Sequence, residues 1–301
     1  MSQTLQEIVQ NMLNGVVTTL NQPGTQWYLP TWLTANGYDP YGTNRTLVWS
    51  FTLNSQDMLV AAGNICSDIG VANPDVCASY KDFYIADPAN APLLTLGGTP
   101  NALLISGASN AVVTALTAQG NDIPMPISGQ IQLSTQPNLP SQISITGNFS
   151  LLQHCCCSTD QSTCDAASLP YTGAGTFEAD IVGTSTCNLS VQITQISPGV
   201  LTLNVSSITL IPPTSGGVPV INTTVNITSM PAGANVQSYN NLAEEAFNDP
   251  AGKQHIVDQI NAVLNQPEQL QAINTALTQV VDSYLKSNNL YPFNNASYAL
   301  F

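Results

Sequence analysis

The feature that most constrains this chain is an apolar stripe near its C-terminus, over residues 249–286. Asp249-Pro250 has the form of a helix start, a carboxylate able to cap free N–H groups followed by proline at the first helical position. Ile256, Val257, Ile260, Val263, Leu264, Leu270, Ile273, Leu277, Val280, Val281 and Leu285 then fall at helical spacing along one face. Pro267 interrupts the backbone ladder but not the stripe, which predicts a kink or a very short break. At 1.5 Å rise per residue a continuous helix here reaches roughly 55 Å. An apolar stripe of that length needs an apolar partner of similar length.

The middle of the chain supplies one. Leu47, Trp49, Phe51 and Leu53 alternate with polar residues, the pattern of a half-buried strand. The alternation returns over 127–133, 143–151, 177–181, 189–193, 201–205 and 218–227, with turn signals at 136–138, 197–199 and 215–217. After Val205-Ser206-Ser207 the apolar phase moves by one to Ile208 and Leu210, which predicts a bulge or bend. Residues 101–118 are small and apolar and fit either strand or helix. At the N-terminus Leu5, Ile8, Val9, Met12, Leu13, Val16, Val17 and Leu20 predict an amphipathic helix ended by Pro23-Gly24. Residues 27–42 read as aromatic and irregular, with Trp27 and Trp32 as core anchors or a rim. Helix, then many antiparallel strands, then long helix is an α+β order. One elongated domain is expected over 1–301: an N-terminal helix (1–24), a sheet region (44–230), a helical segment (241–288) and a tail (289–301).

Charge narrows the partners. Four basic residues (Arg45, Lys81, Lys253, Lys286) stand against eighteen acidic ones, for a net charge of −14. Phosphate backbones are held by clusters of Lys and Arg, so nucleic acid is excluded as a partner. Electrostatic attraction to an anionic membrane surface fails for the same reason. No run approaches the ~20 apolar residues of a membrane span, and Met1-Ser2-Gln3-Thr4 does not begin a secretory leader. Seven cysteines favour an extracellular or other oxidising compartment. Cys66 and Cys77 bracket a turn-rich loop that suits a local disulfide, and Cys155-Cys156-Cys157 with Cys164 suits a stapled loop. Cys187 is the remaining disulfide candidate. The odd count leaves a thiol free or paired between chains, and so admits a homo-oligomer.

Signals for catalysis are sparse. The chain has two histidines, His154 and His255, and lacks a His-Glu-x-x-His motif, a phosphate loop and a Gly-x-Ser-x-Gly elbow. His154 with the neighbouring cysteines could ligate zinc, but adjacent cysteines point apart and paired Cys-x-x-Cys spacing is missing. Asp68, Asp75, Asp82 and Asp87 read as a solvated acidic loop, and Glu178 and Asp180 as the outward face of a strand. No metal, cofactor or enzymatic activity is expected.

The C-terminal third carries a resemblance. Asn241-Leu242-Ala243-Glu244-Glu245-Ala246-Phe247-Asn248-Asp249 leads into a long helix bearing Ile260-Asn261-Ala262-Val263-Leu264-Asn265, followed by Leu290-Tyr291-Pro292-Phe293. This resembles the end of takeout and juvenile-hormone-binding proteins, of the tubular lipid-binding superfamily. The resemblance implies a long, strongly curved antiparallel sheet wrapped around a long C-terminal helix, with an apolar channel between them for a lipid or other hydrophobic small molecule. Residues placed to line such a channel are Ile256, Ile260, Val263, Leu264, Ile273 and Leu277 from the helix, and Phe149, Leu151, Leu201 and Leu203 from strands. Each is equally placed to be plain core. Two other readings stay open: a β-pore-forming or toxin-complex component using 204–228 as a membrane hairpin, and a ligand-free structural or assembly protein.

Overall fold

The computed structural model describes residues 4–43, 46–50, 56–68, 93–97, 103–133, 143–155, 169–197, 200–230 and 232–287. Helix α1 (Leu5–Asn21) begins where a capping box allows it: the Thr4 hydroxyl accepts from the Glu7 N–H and the Glu7 carboxylate accepts from the Thr4 N–H. The stretch expected to be irregular contains a short helix, α2 (Leu29–Ala35), which Pro30 can enter because first-turn N–H groups have no helical partner. Strands β1 (Tyr41–Thr43) and β2 (Thr46–Ser50) follow, then α3 (Gln56–Asp68), a helix absent from the sequence expectations. Next come β3 (Leu93–Gly97), β4 (Leu103–Ser106), a 3₁₀ turn (Ala108–Asn110) and β5 (Ala111–Ala118). The ambiguous stretch is therefore two strands.

The long strands are β6 (Met125–Leu133), β7 (Ile143–Cys155), β8 (Leu169–Ile181), β9 (Ser185–Ser197) and β10 (Val200–Ile211). A small hairpin, β11 (Thr214–Ser215) with β12 (Val218–Pro219), precedes β13 (Ile221–Ser229). Three helices complete the described chain: α4 (Val236–Asn248), α5 (Pro250–Leu264) and α6 (Pro267–Ser287). The Asp249 carboxylate caps α5 by accepting from the Ala251 N–H, as its sequence position predicts. The long helix is broken at Asn265-Gln266, where Pro267 cannot donate to the ladder.

Among the described residues the strands other than β11 and β12 form two antiparallel sheets rather than one. In the seven-stranded sheet β13 pairs with β8 and β8 with β7; the far edge of β7 is shared by β4, which carries β1, and β3, which carries β2. The four-stranded sheet has the order β10-β9-β6-β5. The expected bulge is present as a register shift between Val205 and Ser207. Within residues 204–228 only the tip, β11 with β12, pairs as a hairpin; β10 pairs with β9 in one sheet and β13 with β8 in the other.

Both edges of the four-stranded sheet are closed by helix side chains. On the β10 edge the Asn261 amide accepts from the Leu210 N–H at 2.6 Å and donates to the Leu210 carbonyl at 3.3 Å. Asn265 does the same to Ile208 at 2.9 and 2.6 Å, and Asn274 accepts from the Val205 N–H. Four helical residues rise about 6.0 Å and two strand residues about 6.7 Å, so amides at i and i+4 match alternate strand residues. On the β5 edge Asn21 accepts from and donates to Val113, while Gln10 accepts from Ala118 and donates to Leu116. Gln6 donates to the Ala118 carbonyl. Helices α1 and α6 meet at Gly15, where the Tyr284 ring occupies the space a Cβ would need. Sheet and helices thus close into a ring.

Some expectations fall outside the described residues: Phe51, Leu53, Asp75, Asp82, Asp87, Cys77, Cys156, Cys157, Cys164, the 289–301 tail, and the side chains of Cys66, Asp68, His154 and Cys155. Among the described residues no helix is long and apolar enough to cross a membrane.

Replacing both Asn261 and Asn265 by alanine strands the backbone groups of Ile208 and Leu210 at an uncovered edge. The expected loss is about 1–3 kcal/mol per site, with faster hydrogen exchange at those two amides and unchanged exchange at Val191. Unaltered protection at Ile208 and Leu210 would mean that the helix does not close the edge.

Candidate functional site

The apolar core is one continuous cluster whose two regions differ in content. Between the seven-stranded sheet and α3 and α4 the space is filled by aromatic rings. Phe247 of α4 stacks on Phe177 at 5.2 Å and meets Phe149 edge-on at 5.6 Å. Tyr239 lies over Gly173, where any Cβ would collide with its ring, and its hydroxyl donates to the Leu151 carbonyl at 3.2 Å. Burial pushes that phenol far above the ordinary tyrosine range. Met58, Ala61, Ala62 and Ile65 of α3 complete this core.

Inside the ring formed by the four-stranded sheet, α1, α5 and α6, packing is incomplete and a cavity of about 210 Å³ remains. Its sheet wall is Val113, Leu116, Ile131, Leu133, Leu189, Val205, Ile208 and Leu210, with Ile105, Ser106 and Ile143 added by β4 and β7 of the seven-stranded sheet; its helical wall is Leu20, Ile260, Leu264, Ile273, Leu277 and Val280. The residues that leave the space are small: Ala108, Ala111, Ala276 and Cys187. Leu29, Trp32 and Leu33 of α2 cover one side and are only half-buried there. Apart from the Ser106 hydroxyl and the Cys187 thiol, every lining side chain is aliphatic or aromatic. At about 30 Å³ per water-sized group the space takes roughly seven such groups.

The expected lining residues divide accordingly. Ile260, Leu264, Ile273 and Leu277 are on the cavity wall. Ile256, Val263 and Leu203 are buried but not on that wall. Phe149 and Leu151 belong to the filled interior on the other sheet. The Leu201 side chain lies outside the described residues. Sequence reasoning missed the contribution of α2, although Leu29, Trp32 and Leu33 have the i, i+3, i+4 spacing of a helix face.

The two ends of the sheet are joined to their surroundings by polar contacts. The Asp39 carboxylate accepts from the N–H groups of Gly107 at 3.0 Å and Ser109 at 2.6 Å, which ties the segment after α2 to the turn between β4 and β5. Gln269 of α6 donates to the Tyr41 hydroxyl at 2.7 Å. Glu178 accepts from the Ser144 hydroxyl at 3.2 Å on the outer face, where sequence reading placed it. His255 sits half-buried against Gln259, and burial lowers its pKa against the opposing pull of Asp258. Among the described residues no group of three or more His, Cys, Asp or Glu is arranged to hold a metal ion.

Cys187 corrects an expectation. It is a free thiol, not half of a disulfide, because its position on β9 turns it into the apolar cavity. Burial pushes the thiol up to about 12. The thiolate is the reactive form, so at about pH 8 iodoacetamide should label Cys187 about a thousandfold more slowly than an ordinary thiol. Peptide-level mass spectrometry before and after denaturation checks this; ordinary labelling in the folded state would place Cys187 outside the wall.

No protein-family model and no curated protein sequence matches the chain. Among solved structures it is similar to Takeout 1 of Epiphyas postvittana, at 11% identity and a TM-score of 0.30, covering 98% of this chain and 93% of that one. It is also similar to a lipopolysaccharide binding protein, at 10% identity and a TM-score of 0.29, covering 82% of this chain and 39% of that one.

Proposed function

We propose that this protein binds a hydrophobic molecule, a lipid or other apolar compound, in the cavity lined by the four-stranded sheet, the ends of β4 and β7, and helices α1, α2, α5 and α6. The observation that carries this reading is the wall itself: about 210 Å³ bounded by hydrocarbon with a single hydroxyl and a single thiol. An apolar molecule entering such a space leaves water and gains dispersion contacts, at about 25 cal/mol per Å² of apolar surface buried. The wall gives nothing to a polar ligand except Ser106. It is also poorly suited to catalysis, since the Cys187 thiol is held protonated and lacks a base on the cavity wall. The resemblance of residues 241–293 to takeout and juvenile-hormone-binding proteins points the same way. The low charge and the cysteines outside the described residues favour an oxidising compartment for this activity.

Native mass spectrometry of the purified protein, followed by solvent extraction, should reveal a releasable apolar molecule or uptake of the neutral probe N-phenyl-1-naphthylamine. Ala276→Phe, which fills the cavity from α6, should weaken uptake about tenfold or more without lowering Tm, because the ring enters empty space. Ala243→Phe in the filled interior should instead lower stability by about 1–3 kcal/mol through overpacking. A protein that takes up no probe and loses Tm equally in both variants would have a packed core and no ligand cavity.

A further inference from the structure

The cavity lies next to a second space of opposite character. Trp32 and Ala276 line it from inside and also form one wall of a surface groove between α2 and α6, about 450 Å³ in volume. Apart from Ala272, the rest of that groove is polar: Asn36, Tyr38, Glu268, Gln271, Thr275 and Gln279. Trp32 stacks on Tyr38 with ring centres 5.6 Å apart and planes 16° from parallel. One half-buried indole and one methyl group therefore stand between a hydrocarbon interior and a groove of amides, hydroxyls and a carboxylate. That is the division between the tail and the head of an amphiphile.

Charge then decides which head fits. Among the described residues neither the cavity nor the groove has a lysine or arginine on its wall. Lys286 follows Gln279 by seven residues on α6, roughly 10 Å along the axis, about one Debye length at physiological salt. Lys253 precedes Ile260 on α5 by the same interval. Glu268 lines the groove, and Asp39 sits three residues beyond Asn36 with its carboxylate bound to Gly107 and Ser109. An anionic head entering here would lose hydration without gaining a cation, beside a carboxylate already present. Hydroxyl and amide heads meet partners able to donate and accept.

We infer that the bound molecule is an uncharged amphiphile, with its tail in the cavity, its hydroxyl- or amide-bearing head in the groove, and Trp32 as the gate between them. This rests on the cavity reading above and adds the class of ligand to it. The cavity volume matches a tail of roughly seven carbons or the end of a longer one. Among the described residues the head site, not the tail site, leaves fatty-acid anions and anionic phospholipids without a cation.

The test compares molecules that share a tail. Full-length protein loaded with N-phenyl-1-naphthylamine is titrated at about pH 8, where carboxylates are ionised, with 1-octanol, octyl glucoside and sodium octanoate. Octanol and octyl glucoside should displace the probe, and octanoate should bind about tenfold or more weaker. In Glu268→Lys/Gln271→Lys, both exposed on α6, octanoate should tighten about fivefold while octanol stays within about twofold. Octanoate binding as tightly as octanol to the unaltered protein would overturn the head assignment and leave the cavity reading standing. An unchanged octanoate affinity in the double variant would put the head elsewhere and overturn it as well. A protein that binds neither the probe nor any of the three compounds would remove the cavity reading, and this inference with it.

Discussion

The structure depends on how a four-stranded sheet with two free edges is kept from pairing further. Each edge strand presents alternate residues whose N–H and C=O both point outward, a template for another strand. Here those residues are Val113, Leu116 and Ala118 on β5 and Val205, Ile208 and Leu210 on β10, and side-chain amides from α1, α5 and α6 occupy them. Asparagine and glutamine suit this because one amide both donates and accepts, as a neighbouring peptide would.

Closing the edges in this way also decides where the interior space lies. A helix bonded to a sheet edge is held at a distance set by an amide, so it cannot slide onto the sheet face to fill whatever is below it. On the other sheet, α4 lies over the sheet face, where Tyr239 and Phe247 pack against β7 and β8 and the Tyr239 hydroxyl bonds the Leu151 carbonyl, with Met58 of α3 buried in the same core. The same apolar alternation along the strands thus ends in a packed core on one side and a cavity on the other. Side-chain size completes the difference: Gly173 admits the Tyr239 ring, whereas Ala108, Ala111 and Ala276 are met by nothing large enough to reach them.

Much of this was legible in the sequence, and the rest was not for identifiable reasons. The helical stripe at 249–286, the break at Pro267, the bulge after Val205 and the N-terminal helix are local periodicities, and each appears where its residues predict. Helix α3 was legible too, since Met58, Ala61, Ala62 and Ile65 repeat at three and four residues. The partition into two sheets is a matter of which strand pairs with which, and period-two alternation carries no information on that. Asn261 and Asn265 were visible as a spaced pair within the helix, yet their role needs β10 alongside. Ile260 and Phe149 look alike in sequence; one faces a void and the other an aromatic ring, and only the neighbours distinguish them.

An empty space of this size has an energetic consequence for the whole molecule. A half-open space of about 210 Å³ leaves its hydrocarbon wall without the dispersion contacts that a packed interior supplies, at a cost in free energy. Walls of leucine and isoleucine would recover that cost by collapsing inward if the backbone could follow. The ring formed by the sheet, its amide-bound helices and the Gly15–Tyr284 crossing resists that movement, because shifting a helix would break several edge hydrogen bonds together. The favourable alternative is to fill the space from outside with an apolar group, which restores contacts and leaves every edge bond in place. The polar bonds that close the sheet and the apolar cavity inside it are therefore one design, since the first keeps the second open.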